Sequence, residues 1–318
     1  MILFIGFIAA GPREAIQASP KWIDGLSAYE GDPVIRASDA STVAKYGTRV
    51  TEMLAGGHQK ARSPLQIYHF QYAFYTMLAR ALLLKRPDIT GILGYSGGIQ
   101  PGLLAAEIFT ASSFPAEVAD LNLEVANHAL RNREQGVSAC CIDFSESDWK
   151  VEEVFELIRK KFDGGIYLQD RRNVGVMDFV GPRALMVDFL ATLDKRGGMA
   201  VRASRLRLDG GYHTPLMGSY LEKPYDLDCW ADAPARLSAS PLRIGSTVGH
   251  WWPRTSGARD VRDLTLRSQT DPIESGRLST LVKDQELIFL GSRIVLLEVF
   301  AGTGYVPSEN SVLRPDML

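Results

Sequence analysis

Cysteine, histidine and net charge are all scarce in this chain, and each scarcity excludes a class of protein. Three cysteines in 318 residues, two of them adjacent at Cys140 and Cys141, cannot make a disulfide framework. They point to a reducing, cytoplasmic setting. Adjacent strand residues face opposite sides, so the pair is badly placed to share a metal ion and reads as core packing. The patterns CxxC, HExxH and the P-loop are missing, and Gly302-Thr303-Gly304 lacks the rest of a dinucleotide fingerprint. No metal and no cofactor are therefore expected. Lysine and arginine number 35 against 37 acidic residues, a net charge of -2 with no basic stripe, so no nucleic-acid partner is expected. No apolar run reaches membrane-spanning length. Met1 to Ala10 is too short and has no basic flank, so it reads as a buried strand and no membrane partner is expected.

What is present is material for a core: 46% of residues are hydrophobic, enough for one large domain or two unequal ones. The organising stretch is Gly94-Tyr95-Ser96-Gly97-Gly98. It follows the apolar run Gly91-Ile92-Leu93 and precedes a helical pattern that extends to Ser112. G-x-S-x-G between a strand and a helix is the context of a nucleophile elbow, where a serine on a tight turn needs neighbours without bulk. Backbone N–H groups at such a turn can hold a developing oxyanion. A glycine-rich turn with a solvent-facing serine is the alternative. A serine nucleophile needs a base. Of the five histidines, His58 falls in a loop, His69 in an apolar helix, His128 on a polar helix and His250 beside two tryptophans. His213 stands in Gly210-Gly211-Tyr212-His213-Thr214-Pro215, a turn that constrains its backbone.

The rest of the chain reads as an α/β protein. Ile2 to Phe7 suits a central parallel strand. A helix is expected from Ser41 to Leu54, another from Leu65 to Lys85 opened by Pro64, and another from Ala116 to Arg133. From Gly136 the rhythm changes. Val137–Asp143 reads as a strand, Ser147–Lys161 as a helix, and Gly165–Leu168 and Val174–Phe179 as strands around Asp170-Arg171-Arg172-Asn173. Pro182–Lys195 reads as a helix and Met199–Arg202 as a strand. The order β-α-β-β-α-β is that of a ferredoxin-like unit. Residues 136–203 are thus expected to form a ferredoxin-like small domain inserted into a large domain made of 1–135 and 204–318. Further strands are expected at Leu242–Val248 and Arg293–Phe300, with Asp260–Val282 partly helical.

These landmarks resemble the malonyl-CoA:acyl-carrier-protein transacylase family, the acyltransferases of fatty acid and polyketide synthesis. The elbow stands for the family's G-H-S-x-G. Gly210 to Met217 stands for its G-A-F-H-[ST]-x-x-M, and the inserted unit falls between the two. Pro241–Val248 is similar to its P-V-x-S-N-V-T, Gln269–Ile273 to its Q-x-x-x-P-V, and Val295–Gly302 to its terminal V-E-V-G-P-G strand. The resemblance implies an α/β-hydrolase-like large domain with a parallel sheet, and a Ser96–His213 dyad. It further implies that backbone carbonyls near Pro241–Val248 orient the histidine, so that no acid partner is required. The oxyanion hole would use the backbone of Gly97 and of Phe7, which takes the place of a family glutamine. An acyl-CoA or acyl-carrier-protein donor and an acyl carrier protein acceptor are the implied partners.

Departures bear on the substrate. Tyr95 replaces the usual histidine before the serine. Malonyl-selective members carry an arginine in R-L-V-x-x-R-G, which pairs with the free carboxylate; the matching register here holds Asn127. Tyr95, Asn127 and Tyr212 are the residues expected to contact the substrate. A buried carboxylate without its cation costs several kcal/mol, so an acyl group without a free carboxylate is expected, as in starter-unit or atypical stand-alone acyltransferases. A hydrolase clearing acyl groups from carrier proteins with the same dyad is the alternative, and a non-catalytic acyl or carrier binder the third reading.

Overall fold

The computed structural model describes residues 1–7, 21–56, 64–109, 131, 136–197, 202–205, 211–220, 229–254 and 257–318. In chain order its strands are β1 (Ile2–Phe7), β2 (Gly91–Ser96), β3 (Val137–Asp143), β4 (Tyr167–Arg171), β5 (Val176–Pro182), β6 (Arg202–Arg205), β7 (Arg243–Ser246) and β8 (Leu287–Leu290). The helices are α1 (Lys21–Ser27), α2 (Pro33–Ala40), α3 (Val43–Tyr46), α4 (Val50–Gly56), α5 (Pro64–Lys85), α6 (Ile99–Ala105), α7 (Val151–Lys161), α8 (Arg183–Gly197), α9 (Cys229–Ala239), α10 (Ala258–Thr270), α11 (Ser275–Val282) and α12 (Arg293–Phe300).

A parallel sheet runs in the order β7-β2-β1-β8. Its central strand is apolar on both faces because both faces are covered. Alternation along β1 divides the core: Leu3 and Ile5 pack with α5 residues such as Phe74 and Leu78, whereas Ile2 and Phe4 pack with Leu93, Tyr95 and the α12 residues Val295 and Val299. The second sheet is antiparallel, in the order β4-β5-β3-β6, with α7 and α8 supplying its apolar cover through Val154, Ile158, Phe189 and Leu193. Residues 136–205 thus follow the element order β-α-β-β-α-β.

Several expected elements take another form. Arg293–Phe300 is a helix, not a strand. Its buried residues Val295, Leu296, Val299 and Phe300 have helical spacing, Leu297 is exposed, and the Ser292 hydroxyl accepts from the Val295 N–H. The edge of the sheet is instead β8, four buried residues paired with β1. The expected helix over 41–54 is broken into α3 and α4 at Gly47, whose φ is 67°. The elbow helix stops at Ala105 rather than Ser112. The Ile108 N–H bonds back to Leu103 O and the Glu107 N–H to Leu104 O, with Glu107 at φ 56°, which is the Schellman closure. Strand β6 is described over Arg202–Arg205; of the strand expected over Met199–Arg202, residues 199–201 lie outside the described residues. The helix expected over Ala116–Arg133 lies outside the described residues, apart from Arg131.

Candidate active site

Ser96 ends β2 and His213 follows a turn at Gly211, yet their side chains meet. His213 Nε2 is 2.9 Å from Ser96 Oγ across 117 positions of sequence. Local sequence makes each half possible. At the elbow the chain doubles back so tightly that a Cβ on Gly94 would lie 2.2 Å from Ile99 Cα, and one on Gly98 would lie 2.2 Å from the Ile5 carbonyl oxygen. Only glycine fits in such close backbone approach. Between those glycines Ser96 adopts φ 53°, a conformation that strains a residue with a Cβ. His213 adopts φ 58°. Its loop is held by Thr214, whose hydroxyl donates to Gly211 O at 2.6 Å and whose carbonyl accepts from Met217 N at 3.0 Å.

The imidazole is 3% exposed. Burial pushes its pKa down from 6.5 to about 4, while the main chain of Asp271 opposes the shift. His213 is therefore a neutral base at physiological pH, with Nε2 in hydrogen-bonding range of the hydroxyl it would deprotonate. Nδ1 has no well-formed hydrogen bond among the described residues. The backbone facing the ring belongs to Asp271, in the segment after α10, and not to Pro241–Val248 as the resemblance implied. The latter segment contributes β7, whose Ser246 pairs with Gly94 beside the elbow.

The other expected site residues divide. Gly97 is buried in the elbow turn, and Phe7 is the strand partner of Ser96 in the β1–β2 ladder, so the backbones of both lie beside Ser96. Tyr212 is half-buried, with its phenol pKa pushed up by burial. Tyr95 is a core residue. It is 7% exposed, packs edge-on against Phe4, and hydrogen-bonds Ser275 through its hydroxyl. Alternation explains this, since the residue before Ser96 must face the other side of the sheet. Asn127, His58 and His128 lie outside the described residues. His69 is fully buried in α5 with its ring edge-on to Tyr46, and His250 is exposed.

Sequence reading missed a buried polar network behind the elbow. The Asp170 carboxylate accepts from Ser275 Oγ at 2.7 Å and Ser275 N at 3.2 Å. Burial first, and the Asp178 charge second, push its pKa up. Arg172 binds Asp178 through Nε and Nη2 at 3.0 and 2.8 Å and donates to Ala301 O at 3.2 Å. In sequence Asp170-Arg171-Arg172-Asn173 reads only as the connection between two strands. The signal that could have exposed the network is Asp178, a lone carboxylate inside Val176–Val180, which demands a buried partner.

Beside the His213 loop runs a groove of about 350 Å³ with largely apolar walls, among them Phe155, Ile158, Ile166, Leu168 and Pro215. Thr214 and Asp271, the neighbours of His213 in sequence and in space, line its near end. Among the described residues there is no cluster of His, Cys, Asp or Glu arranged to hold a metal, and no helix long and apolar enough to cross a membrane.

No protein-family profile matches the sequence, and no curated protein matches it. Solved structures do match in fold. A malonyl-transacylase captured with its type II polyketide synthase acyl-carrier protein aligns with TM-score 0.63 at 13% identity, over 98% of this chain and 93% of that one. An acyl carrier protein S-malonyltransferase from Vibrio cholerae aligns with TM-score 0.63 at 14% identity, over 95% and 93%. The acyltransferase domain of the polyketide synthase PpsC of Mycobacterium tuberculosis aligns with TM-score 0.58 at 15% identity, over 95% and 86%. The chain has the acyltransferase fold: a parallel sheet joined to a smaller antiparallel one.

Proposed function

We propose that the protein is an acyltransferase that moves an acyl group between CoA or carrier-protein thioesters through an acyl-Ser96 intermediate. The observation that carries the reading is the 2.9 Å approach of a buried, neutral His213 to a serine strained at an elbow turn. Ser96 Oγ attacks the thioester carbonyl and its proton passes to His213 Nε2. Backbone N–H groups at Gly97 and Phe7 are the donors assigned to the oxyanion. Collapse breaks the C–S bond, and the departing thiolate takes the proton from His213. An acceptor thiol, on the phosphopantetheine of an acyl carrier protein, then gives its proton to His213 and attacks the acyl-serine ester. Ser96 leaves and recovers the proton.

In this reading the large unit (1–135 and 204–318) is hydrolase-like and residues 136–203 form a ferredoxin-like insertion; the sheet order β4-β5-β3-β6 supports the latter. Cys140 and Cys141 are in no disulfide among the described residues, which suits a cytoplasmic setting. The largely apolar groove beside His213 supports an acyl group without a free carboxylate. The guanidinium of Arg172, buried behind the elbow, is already committed to Asp178.

The test is intact-mass analysis after exposure to a panel of acyl thioesters, malonyl included, followed by addition of a carrier protein. The expected result is a Ser96 adduct strongest with neutral acyl groups, which then moves to the carrier. Free acid released faster than carrier is charged would make the protein a hydrolase. Malonyl loading above all neutral groups would overturn the substrate reading.

A further inference from the structure

Strand β4 carries an irregularity in the part of the smaller sheet nearest the dyad. Its ladder to β5 pairs Leu168 with Phe179 and Asp170 with Asp178, so Gln169 is the extra residue of a β-bulge. A bulge re-aims a side chain out of the normal alternation. Gln169 is 5% exposed, and its Nε2 donates to the carbonyl of Tyr212 at 3.0 Å, one residue before His213. Its own carbonyl accepts from Ile273 N at 2.8 Å, and Arg171 N donates to Ile273 O at 2.8 Å. That pair of bonds fixes the segment holding Asp271, whose main chain faces the imidazole. The next residue, Asp170, grips Ser275, which hydrogen-bonds the hydroxyl of Tyr95, the residue before Ser96. A single bulged turn of strand therefore reaches the chain beside both Ser96 and His213.

We propose that Gln169 is a positioning residue, which uses the bulge in β4 as a fixed platform to hold the His213 loop in register with Ser96. The inference rests on the Ser96–His213 dyad of the proposed function. Its logic is geometric. The 211–217 stretch is remote in sequence from the elbow, with His213 117 positions from Ser96, so its alignment needs a cross-strut. Gln169 to Tyr212 O is that strut on the histidine side, and Asp170 through Ser275 to Tyr95 anchors the platform on the serine side. A nucleophile and base that lose about an ångström of alignment lose on the order of a hundredfold in rate.

The experiment measures the second-order rate of Ser96 labelling by a fluorophosphonate probe, which needs the activated serine but no acyl substrate. Wild type, His213→Ala, Gln169→Met and Gln169→Glu are compared, with thermal midpoints recorded alongside. Met keeps the length of Gln169 and removes the donor. Glu keeps the shape and offers an acceptor to the Tyr212 carbonyl, so it preserves the test if the Met variant does not fold. The expected result is labelling slowed about tenfold to a hundredfold in folded Gln169 variants. With acyl thioester, kcat should fall while KM holds. Folded variants that label at the wild-type rate overturn the inference, whatever their thermal midpoint. A wild-type protein that does not label at Ser96, or that labels as fast after His213→Ala, overturns the dyad itself, and so separates the two failures.

Discussion

Ser96 and His213 share two properties: their side chains meet at 2.9 Å, and both hold left-handed backbone, at φ 53° and 58°. Two bonded residues with this unfavourable conformation form an arrangement that the surroundings must enforce. At Ser96 the enforcement is steric, through Gly94 and Gly98. At His213 it is the hydrogen bonding of Thr214 and Gln169 to the flanking carbonyls.

A first prediction concerns how the pair works as a unit. Ser96→Ala should abolish the acyl adduct. His213→Ala should lower kcat/KM by about 100- to 10,000-fold, the usual worth of a positioned general base. Because the two act in one proton transfer, the double variant should be no worse than Ser96→Ala alone. Steady-state turnover of the best acyl thioester measures this. Additive losses would mean that the histidine acts elsewhere.

The second prediction is a pH profile. The base must be unprotonated, and burial holds His213 down at about 4, so kcat/KM should rise through about pH 4 and be level by neutrality. An unperturbed histidine would place that limb near 6.5. The same shift acts on stability. Between about 4 and 6.5 the unfolded chain binds a proton that the folded chain does not, so stability rises with pH across that window. Acidification from pH 7 to 4 should therefore remove roughly 3 kcal/mol through this group. Urea midpoints against pH, with His213→Gln as the flat reference for this contribution, measure it.

What sequence disclosed and what it hid follow from the range of the interactions. The elbow was legible because part of its glycine demand is local, Gly94 against Ile99 five residues on, although Gly98 answers to the remote Ile5 carbonyl. The element order over 136–205 was legible because its strands and helices are separated by local turn and breaker residues. Arg293–Phe300 departs from the expected strand because its sequence is a short apolar run, in which eight residues are too few to separate a helical period from a buried strand. That Tyr95 packs in the core follows from alternation along β2, which turns it to the face opposite Ser96. The Gln169 strut and the Asp170–Ser275 bonds were hidden because their partners lie 43 and 105 positions away, and no local pattern encodes them.

The third prediction isolates the steric demand of the elbow. A methyl group on Gly98 would sit 2.2 Å from the Ile5 carbonyl in the centre of the sheet, where neither backbone can move. Gly98→Ala should destabilise by about 3 kcal/mol or more, the upper part of the overpacking range, and should slow Ser96 acylation in whatever protein folds. Gly31→Ala is the control, since nothing lies within 4 Å of its added methyl and its backbone needs no left-handed angle. That change should be neutral or stabilise by roughly 0.4–1 kcal/mol. Denaturant titrations of the two variants should therefore move in opposite directions, and a tolerated Gly98→Ala would remove the argument for a forced turn.

The fourth prediction concerns the buried charges behind the elbow. Arg172 and Asp178 are 11% and 5% exposed at their side chains and meet at 2.8 Å, with Asp170 close enough for its carboxyl to feel the Asp178 charge. Removing the guanidinium by Arg172→Met leaves carboxylates buried without their cation, a loss of about 3–5 kcal/mol. Removing both members of the pair, in Arg172→Met with Asp178→Leu, eliminates the stranded charge along with the bond, so much of that loss should return. The comparison also separates stability from alignment. If Arg172 serves only to neutralise the carboxylates, the double variant should regain the wild-type rate of Ser96 labelling together with its stability. If the pair also fixes β4, whose Gln169 holds the His213 loop, stability should return while labelling stays slow. Urea midpoints and labelling rates for the two variants, read together, decide between those outcomes.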